Sequence, residues 1–299
     1  MTNLSRTLRN PPDRGVAEDG MTSHTRLLTR RVLAATLAAA TLSLAACGGG
    51  PDKAGSTGVE DQKSGTSLAS IEKDGVITVG TEGTYRPFTF HEGGSGPLTG
   101  YDVEVMRAVA DELGVEVKFE ETQWDAIFAG LNAGRFDAIA NQVSITPERT
   151  KDYAFSTPYT VSPGVVVVRK GDTSISSFED LRGKTTAQSL TSNWYDLAKQ
   201  NGAEIQNVEG WAQAVALLEQ GRVDATVNDS LTFLDWQKTE GKDTLQIAAR
   251  TQDEARNAIA FRQGSDDLVT AVDRALEKLR KDGTLTRISE KYFGEDVSG

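Results

Sequence analysis

Apolar residues recur along this chain with two periods, and the places where the period changes outline the elements. Trp124, Ile127, Phe128 and Leu131 stand at i, i+3, i+4 and i+7, and Trp211, Ala214, Val215 and Leu218 repeat those offsets. Each set predicts an amphipathic helix with one buried face. Ten positions after each Trp comes a matching pentapeptide, Gly134-Arg135-Phe136-Asp137-Ala138 or Gly221-Arg222-Val223-Asp224-Ala225. Both helices should stop at the Gly and give way to a short apolar strand, 136–140 or 223–227. Both strands then end on polar side chains, Asn141-Gln142 in one and Asn228-Asp229 in the other. The chain therefore carries an internal duplication. Ligands of open α/β sheets sit beyond the carboxyl ends of strands, so two such units face to face would put both polar tips on one cleft. Two ordinary helix–strand units with unrelated tips is the plainer alternative.

The rest of the pattern fits around these units. Val76-Ile77-Thr78-Val79 reads as a strand ending at Gly80, followed by a loop, 81–88, that holds glycine, proline and two aromatics. Gly100-Tyr101-Asp102 opens a helix in which Asp102 is expected to cap the amino end; Val103, Met106, Val109, Ala110 and Leu113 form its buried stripe before Gly114. A strand is predicted over 115–119. In Ser144-Ile145-Thr146-Pro147-Glu148-Arg149 a Thr precedes Pro as an N-cap precedes the first helical residue, so a short helix should begin at Pro147. Residues 160–168 are extended but interrupted by Pro163 and Gly164. Beyond Leu181-Arg182-Gly183-Lys184 the pattern restarts with a strand over 185–188 and a helix from Ser192. A second extended piece, 257–261, leads back to a last helix whose stripe is Leu268, Val272, Ala275, Leu276 and Leu279. Two crossings between two α/β halves make a hinge.

The amino-terminal lead is of another kind. Arg26, Arg30 and Arg31 precede a mostly apolar run, 32–46, and then the only cysteine, in Leu44-Ala45-Ala46-Cys47. A basic start and a short apolar run make an export signal, because a membrane-spanning helix needs roughly 20 apolar residues. Residues 1–46 are read as that signal, with Met21 as an alternative start of translation. The tetrapeptide resembles the bacterial lipobox, which makes Cys47 the lipidated first residue of the mature protein; a thiol buried after conventional cleavage would find no core among Gly48, Gly49, Gly50 and Pro51. Residues 47–67 then form the lipidated end and a flexible tether. Thr29-Arg30-Arg31-Val32-Leu33 partly resembles a twin-arginine signal, and the general export route stays open beside it.

Composition removes several classes. With 32 basic and 43 acidic residues the net charge is −11, and without residues 1–46 it is about −14, from 26 basic and 40 acidic. Nucleic acid is disfavoured. One cysteine excludes an internal disulfide, and with His24 and His91 the only histidines neither a His-rich zinc site nor a Ser/His/Asp triad is supported. No metal, cofactor or catalytic group is expected. Roughly 230 body residues suffice for two lobes.

Gly100-Tyr101-Asp102-Val103-Glu104-Val105, backed by Val109-Ala110 and Leu113, resembles the signature of the family 3 extracellular solute-binding proteins, the amino-acid receptors of ABC importers. The match runs from Leu68 to Phe293 and includes Gly83-Thr84-Tyr85-Arg86-Pro87-Phe88, Ser144 to Arg149, Phe155-Ser156-Thr157-Pro158-Tyr159 and Lys281-Asp282-Gly283-Thr284. Trp124-Asp125, Asn141-Gln142-Val143 and Ser289-Glu290-Lys291-Tyr292-Phe293-Gly294 are most similar to the cystine-binding branch. The resemblance implies a type II periplasmic-binding-protein-like α/β fold of two lobes, each a mixed sheet flanked by helices. Lobe I is 68–160 plus 257–299, lobe II is 165–253, and the two hinge strands are 161–164 and 254–256. It also implies a monomer, an ABC permease with its ATPase as partner, and a place outside the cytoplasm, anchored by Cys47.

A site that desolvates a zwitterion must supply a fixed cation and a fixed anion. The resemblance gives these roles to Arg149, for the α-carboxylate, and Asp229, for the ammonium. It adds backbone N–H groups around Thr191, the hydroxyl of Ser144, and Tyr85 and Trp124 as aromatic walls. Trp124 also lies on a helical stripe and could be plain core; Trp211, at the matching offset, is assigned to core. Glu82 would pair with a cationic ligand in some relatives and not in others. Asn141 and Gln142 are neutral and suit a second zwitterionic end. The expected ligand is L-cystine. A cationic or other polar amino acid (arginine, lysine, histidine, glutamine) remains open, as does an enzyme similar to the cyclohexadienyl dehydratases, with Glu82 as its acid.

Overall fold

The computed structural model describes residues 65–241 and 243–299, so the export signal, Cys47 and most of the tether lie outside the described residues. The described chain begins with α1 (Leu68–Asp74), β1 (Val76–Thr81) and a small three-stranded antiparallel sheet of β2 (Thr84–Tyr85), β3 (Thr89–His91) and β4 (Leu98–Thr99). Next come α2 (Tyr101–Leu113), β5 (Glu116–Glu121), α3 (Trp124–Asn132), β6 (Ala138–Ser144), α4 (Arg149–Asp152) and β7 (Tyr153–Phe155). A long strand, β8 (Thr160–Arg169), leads to β9 (Thr185–Gln188), α5 (Asn193–Gln200), β10 (Glu204–Asn207), α6 (Trp211–Glu219), β11 (Ala225–Asp229) and α7 (Ser230–Glu240). The 18-residue β12 (Leu245–Arg262) returns, and α8 (Asp266–Lys281) and α9 (Thr284–Phe293) close the described chain.

The main sheet runs β10-β9-β11-β8-β12-β6-β1-β5, with β7 also on β12. It reads alike from either end. β1 lies parallel between β5 and β6, and β9 lies parallel between β10 and β11; β6 pairs antiparallel with β12, and β11 antiparallel with β8. The long antiparallel pair β8–β12 joins the halves. One half is filled by clusters around Val79, Tyr101, Met106 and Phe261 and around Trp124, Ile127 and Phe136; the other by clusters around Trp211, Leu218 and Phe233 and around Val166, Leu181 and Val227.

The duplicated pentapeptide has a structural meaning that repeats as well. Asp137 donates its N–H to Thr78 O (2.8 Å) and takes the Thr78 N–H on its carboxylate (2.9 Å), stitching β6 to β1. Asp224 does the same to Thr185, at 2.8 Å both ways, stitching β11 to β9. The end of each helix is held by an arginine from the long strands: Arg262 donates to Leu131 O (2.8 Å) and Phe136 O (3.0 Å), and Arg169 to Leu218 O (3.1 Å) and Val223 O (2.7 Å). In each case the first carbonyl, Leu131 O or Leu218 O, also accepts the N–H of the stopping glycine (3.0 Å), and the second lies beyond the helix, so each guanidinium ties the helix end to the start of its strand. The positive φ values of Gly134 (71°) and Gly221 (69°) end both helices as the sequence pattern requires.

Several expectations are corrected. Asp102 does not cap α2: the cap position is Gly100, at φ 132°, where a Cβ would lie 2.2 Å from Phe88 O, and Asp102 is buried inside the first turn. Pro163 and Gly164 do not interrupt β8, because the partner strand shifts register between Arg250 and Glu254, so Pro163 sits beside an irregularity where a missing N–H is tolerated. The helix expected at Pro147 begins at Arg149 and is one turn long. The strand expected over 115–119 is β5, 116–121. At the end of the expected tether, Thr66 is buried and bonded to Asp137 and Arg262, and Ser67 caps α1 with its hydroxyl on Ser70 N.

Candidate functional site

The carboxyl ends of β6 and β11 meet across the cleft, as the duplication predicts. Gln142 Nε2 donates to Asp229 Oδ2 at 3.2 Å, joining the two polar tips directly. Tyr85, from the small sheet, donates to Asn228 Oδ1 (2.8 Å) and accepts from Thr232 (3.1 Å). A cavity of about 50 Å³ lies between the halves. Glu82, Tyr85, Trp124, Asn141 and Gln142 line one wall; Ser189, Ser192, Asn193, Trp194, Gly210 and Trp211 line the other. A second space of about 410 Å³ adjoins it, sharing Glu82, Tyr85, Gly210 and Trp211 and adding Glu121 and Glu209.

Gln142 is the one described residue other than glycine with positive φ, 51°. That conformation costs on the order of 1–3 kcal/mol and persists only where the surroundings impose it. Here the buried Asp102 carboxylate accepts the Gln142 N–H, which turns the backbone and aims the side chain at Asp229. The misplaced helix cap is thus a support beneath the site.

Asp229 caps α7 through Leu231 N (2.9 Å) and also accepts from Ser162 Oγ (2.6 Å) and Gln142, so three donors fill a carboxylate with about four acceptor positions. It is buried, and burial pushes its pKa up. Arg149 donates to Ser144 O (2.9 Å) and across the cleft to Thr191 O (3.2 Å), and its guanidinium lies over the rings of Trp124 (5.3 Å) and Phe128 (5.2 Å). Burial lowers its pKa to about 10, leaving it charged at neutral pH. The Ser144 hydroxyl is committed to Asn257 Oδ1 (2.8 Å). Glu82 and Asn141 bond reciprocally: Asn141 Nδ2 donates to Glu82 Oε2 (2.6 Å) and Asn141 Oδ1 accepts the Glu82 N–H (2.8 Å).

Of the nine residues singled out in the sequence, Glu82, Tyr85, Trp124, Asn141 and Gln142 line the cavity, while Arg149, Asp229, Ser144 and Thr191 stand around it without lining it. Trp124 serves both readings, since it packs in a core cluster and walls the cavity. Trp211 does likewise, which corrects its assignment to core alone. The duplication already held that signal: Trp211 is the counterpart of Trp124. Trp194, Ser192 and Asn193 were missed, because nothing in their spacing marks them.

Two carboxylates, the half-buried Glu82 and the buried Asp102, make stability depend on pH. Burial, set against a hydrogen bond from Asn141 and helped by Asp125, pushes Glu82 up to about 7; burial, set against the Gln142 N–H, pushes Asp102 up to about 7. Unfolded carboxylates titrate near 4, so between these values the folded state holds more protons than the unfolded one. Folding stability should therefore fall as pH rises from about 4 to about 7, by on the order of a few kcal/mol, and thermal denaturation of ligand-free protein across that range measures it. Asp102→Asn should flatten much of the slope.

Comparison with known proteins decides the lineage. Residues 77–295 match the family model for bacterial extracellular solute-binding proteins, family 3. The chain belongs to that family. It is 49% identical over 271 residues, 91% of this chain and 100% of the relative, to the L-cystine-binding protein TcyA of Bacillus subtilis. Among solved structures it is similar to an L-cystine solute receptor of Neisseria gonorrhoeae in an unliganded open conformation, with 45% identity, a TM-score of 0.54, and coverage of 78% of this chain and 99% of the other. It is also similar to an ancestral arginine-binding protein bound to arginine, with 36% identity, a TM-score of 0.69, and coverage of 74% and 99%. The fold is that of the type II periplasmic amino-acid-binding proteins.

Proposed function

We propose that this protein is the extracytoplasmic receptor of an ABC importer that captures L-cystine and presents it, enclosed, to the membrane permease. The observation that carries this reading is the meeting of two duplicated strand ends on one cleft, with a guanidinium in one half and a carboxylate in the other. Arg149 takes the ligand's α-carboxylate, with its planar fork held against Trp124 and Phe128. Asp229 takes the ammonium on the acceptor position its three donors leave open. Thr191 and Ser144 frame the carboxylate, and Tyr85 and Trp124 enclose the apolar atoms. Cystine carries a second amino-acid end, and the adjoining space walled by Glu82, Glu121 and Glu209 offers acceptors for its second ammonium. Asn141 and Gln142 line the smaller space and complete its polar wall.

Closure is a hinge movement on β8 and β12: residues 68–160 with 257–299 make one lobe, 165–253 the other, and 161–164 with 254–256 the hinge. Three of the four core clusters draw their buried members from one half alone, which supports this division, and the fourth reaches across only to Leu231 of α7. Binding involves no covalent step. Cys47 carries the lipid that tethers a monomer to the outer face of the membrane.

Thermal-shift screening tests the ligand, because a bound solute stabilises the folded state by about 2.7 kcal/mol at a hundredfold excess over Kd. L-cystine should raise Tm by several degrees and more than arginine, lysine, histidine or glutamine. A larger shift with a cationic amino acid would replace cystine as the ligand and keep the rest of the site.

A further inference from the structure

We propose that Asp125 is a latch between the lobes, setting how long the closed form lasts without touching the ligand. Asp125 lies in the first turn of α3, beside Trp124, yet its carboxylate turns away from its own helix. Oδ1 accepts both the N–H (3.0 Å) and the hydroxyl (2.9 Å) of Thr191, and Oδ2 faces the Leu190 N–H at 3.4 Å. On the opposite side of the same segment, the Thr191 carbonyl accepts from Arg149 at 3.2 Å. Two side chains of opposite charge from one lobe therefore grip one short loop of the other: the anion holds its donors and the cation holds its acceptor.

This arrangement complements the peptide dipole and is made only when the lobes approach. Asp125 and Thr191 are both exposed. Hydrogen bonds to a charged group are the stronger kind, but at a solvated rim water competes for them and salt screens them. Such a contact favours closure while remaining easy to break, which is what a receptor that must also release its cargo requires. Arg149, placed in the binding machinery, gains a second task, since the bond that orients its guanidinium also ties the lobes.

The inference rests on the reading that the lobes close around an amino acid, and the two can be tested apart. In ligand-free protein, small-angle X-ray scattering should give a larger radius of gyration for Asp125→Asn than for wild type. With L-cystine, stopped-flow fluorescence should show release accelerated about five- to tenfold, with the association rate within about twofold, since changes at one interface act mostly on dissociation. Asp125→Ala and Thr191→Val should be non-additive in release rate, as residues in direct contact are. Unchanged scattering together with unchanged release overturns the latch. So does a fall in Tm alone, which would make Asp125 a helix-end charge only, and so does tighter binding, which would make it a competitor for the ligand's carboxylate. If wild type binds no L-cystine, the ligand assignment fails and the ligand-free scattering alone decides the latch.

Discussion

Arg149→Ala removes the guanidinium proposed to meet the ligand's α-carboxylate, and amino-acid affinity should fall by roughly 10²–10⁴-fold, the 3–5 kcal/mol that follows loss of one partner from a desolvated ion pair. Arg149→Lys should recover only part of this, because an ammonium keeps the charge but not the fork that now spans Ser144 O and Thr191 O. Asp229 needs a different substitution. Its carboxylate also caps α7, so Asp229→Ala would mix lost affinity with a frayed helix, whereas Asp229→Asn keeps an oxygen for Leu231 N and removes the charge. That variant should lose affinity on the same scale with little change in Tm. Calorimetry with L-cystine reads all three, and unchanged binding in both Arg149→Ala and Asp229→Asn would end the proposed site.

Phe136→Ala should cost about 3–5 kcal/mol of stability, the range for deleting a buried aromatic ring. The ring is 1% exposed and wedged between two glycines: a Cβ on Gly80 would come within 2.5 Å of it, and one on Gly130 within 2.7 Å. The second copy of the repeat fills the same space differently. Val223 replaces the ring, Leu217 stands where Gly130 stands, and Ala187 where Gly80 does, and all three belong to the core of the second half. A large residue flanked by none became a small residue flanked by two. Gly130→Ala should therefore destabilise by about 1–3 kcal/mol, although in an ordinary helix that exchange stabilises. Denaturant unfolding checks both values, and a stabilising Gly130→Ala would refute the packing account.

The sequence made the duplication legible because its parts are local. A helical stripe, a stopping glycine and an apolar run ending in polar residues each follow from spacing within a dozen positions; both helices form as expected, while the strands begin two residues later than expected and β6 continues through Asn141-Gln142 to Ser144. The role of Asp137 and Asp224 was not legible, since each bonds to a strand far away in the chain. Asp102 misled for a related reason. An acid at a helix start is normally a cap, and only the packing of β6 against α2 turns this one toward the Gln142 N–H.

The amino-acid order alone determined the α/β class, the two halves, the family and one wall of the cavity, because period, punctuation and short motifs are properties of neighbouring residues. Tertiary structure alone decided that Trp211 joins Trp124 at the cleft, that Gln142 is held in a left-handed conformation, that Asp229 is shared between a helix cap and the Gln142 side chain, and that Asp125 reaches across to Thr191. Each of these depends on which surfaces the long β8–β12 pair brings together, and contacts between residues far apart in sequence leave no periodic trace in it.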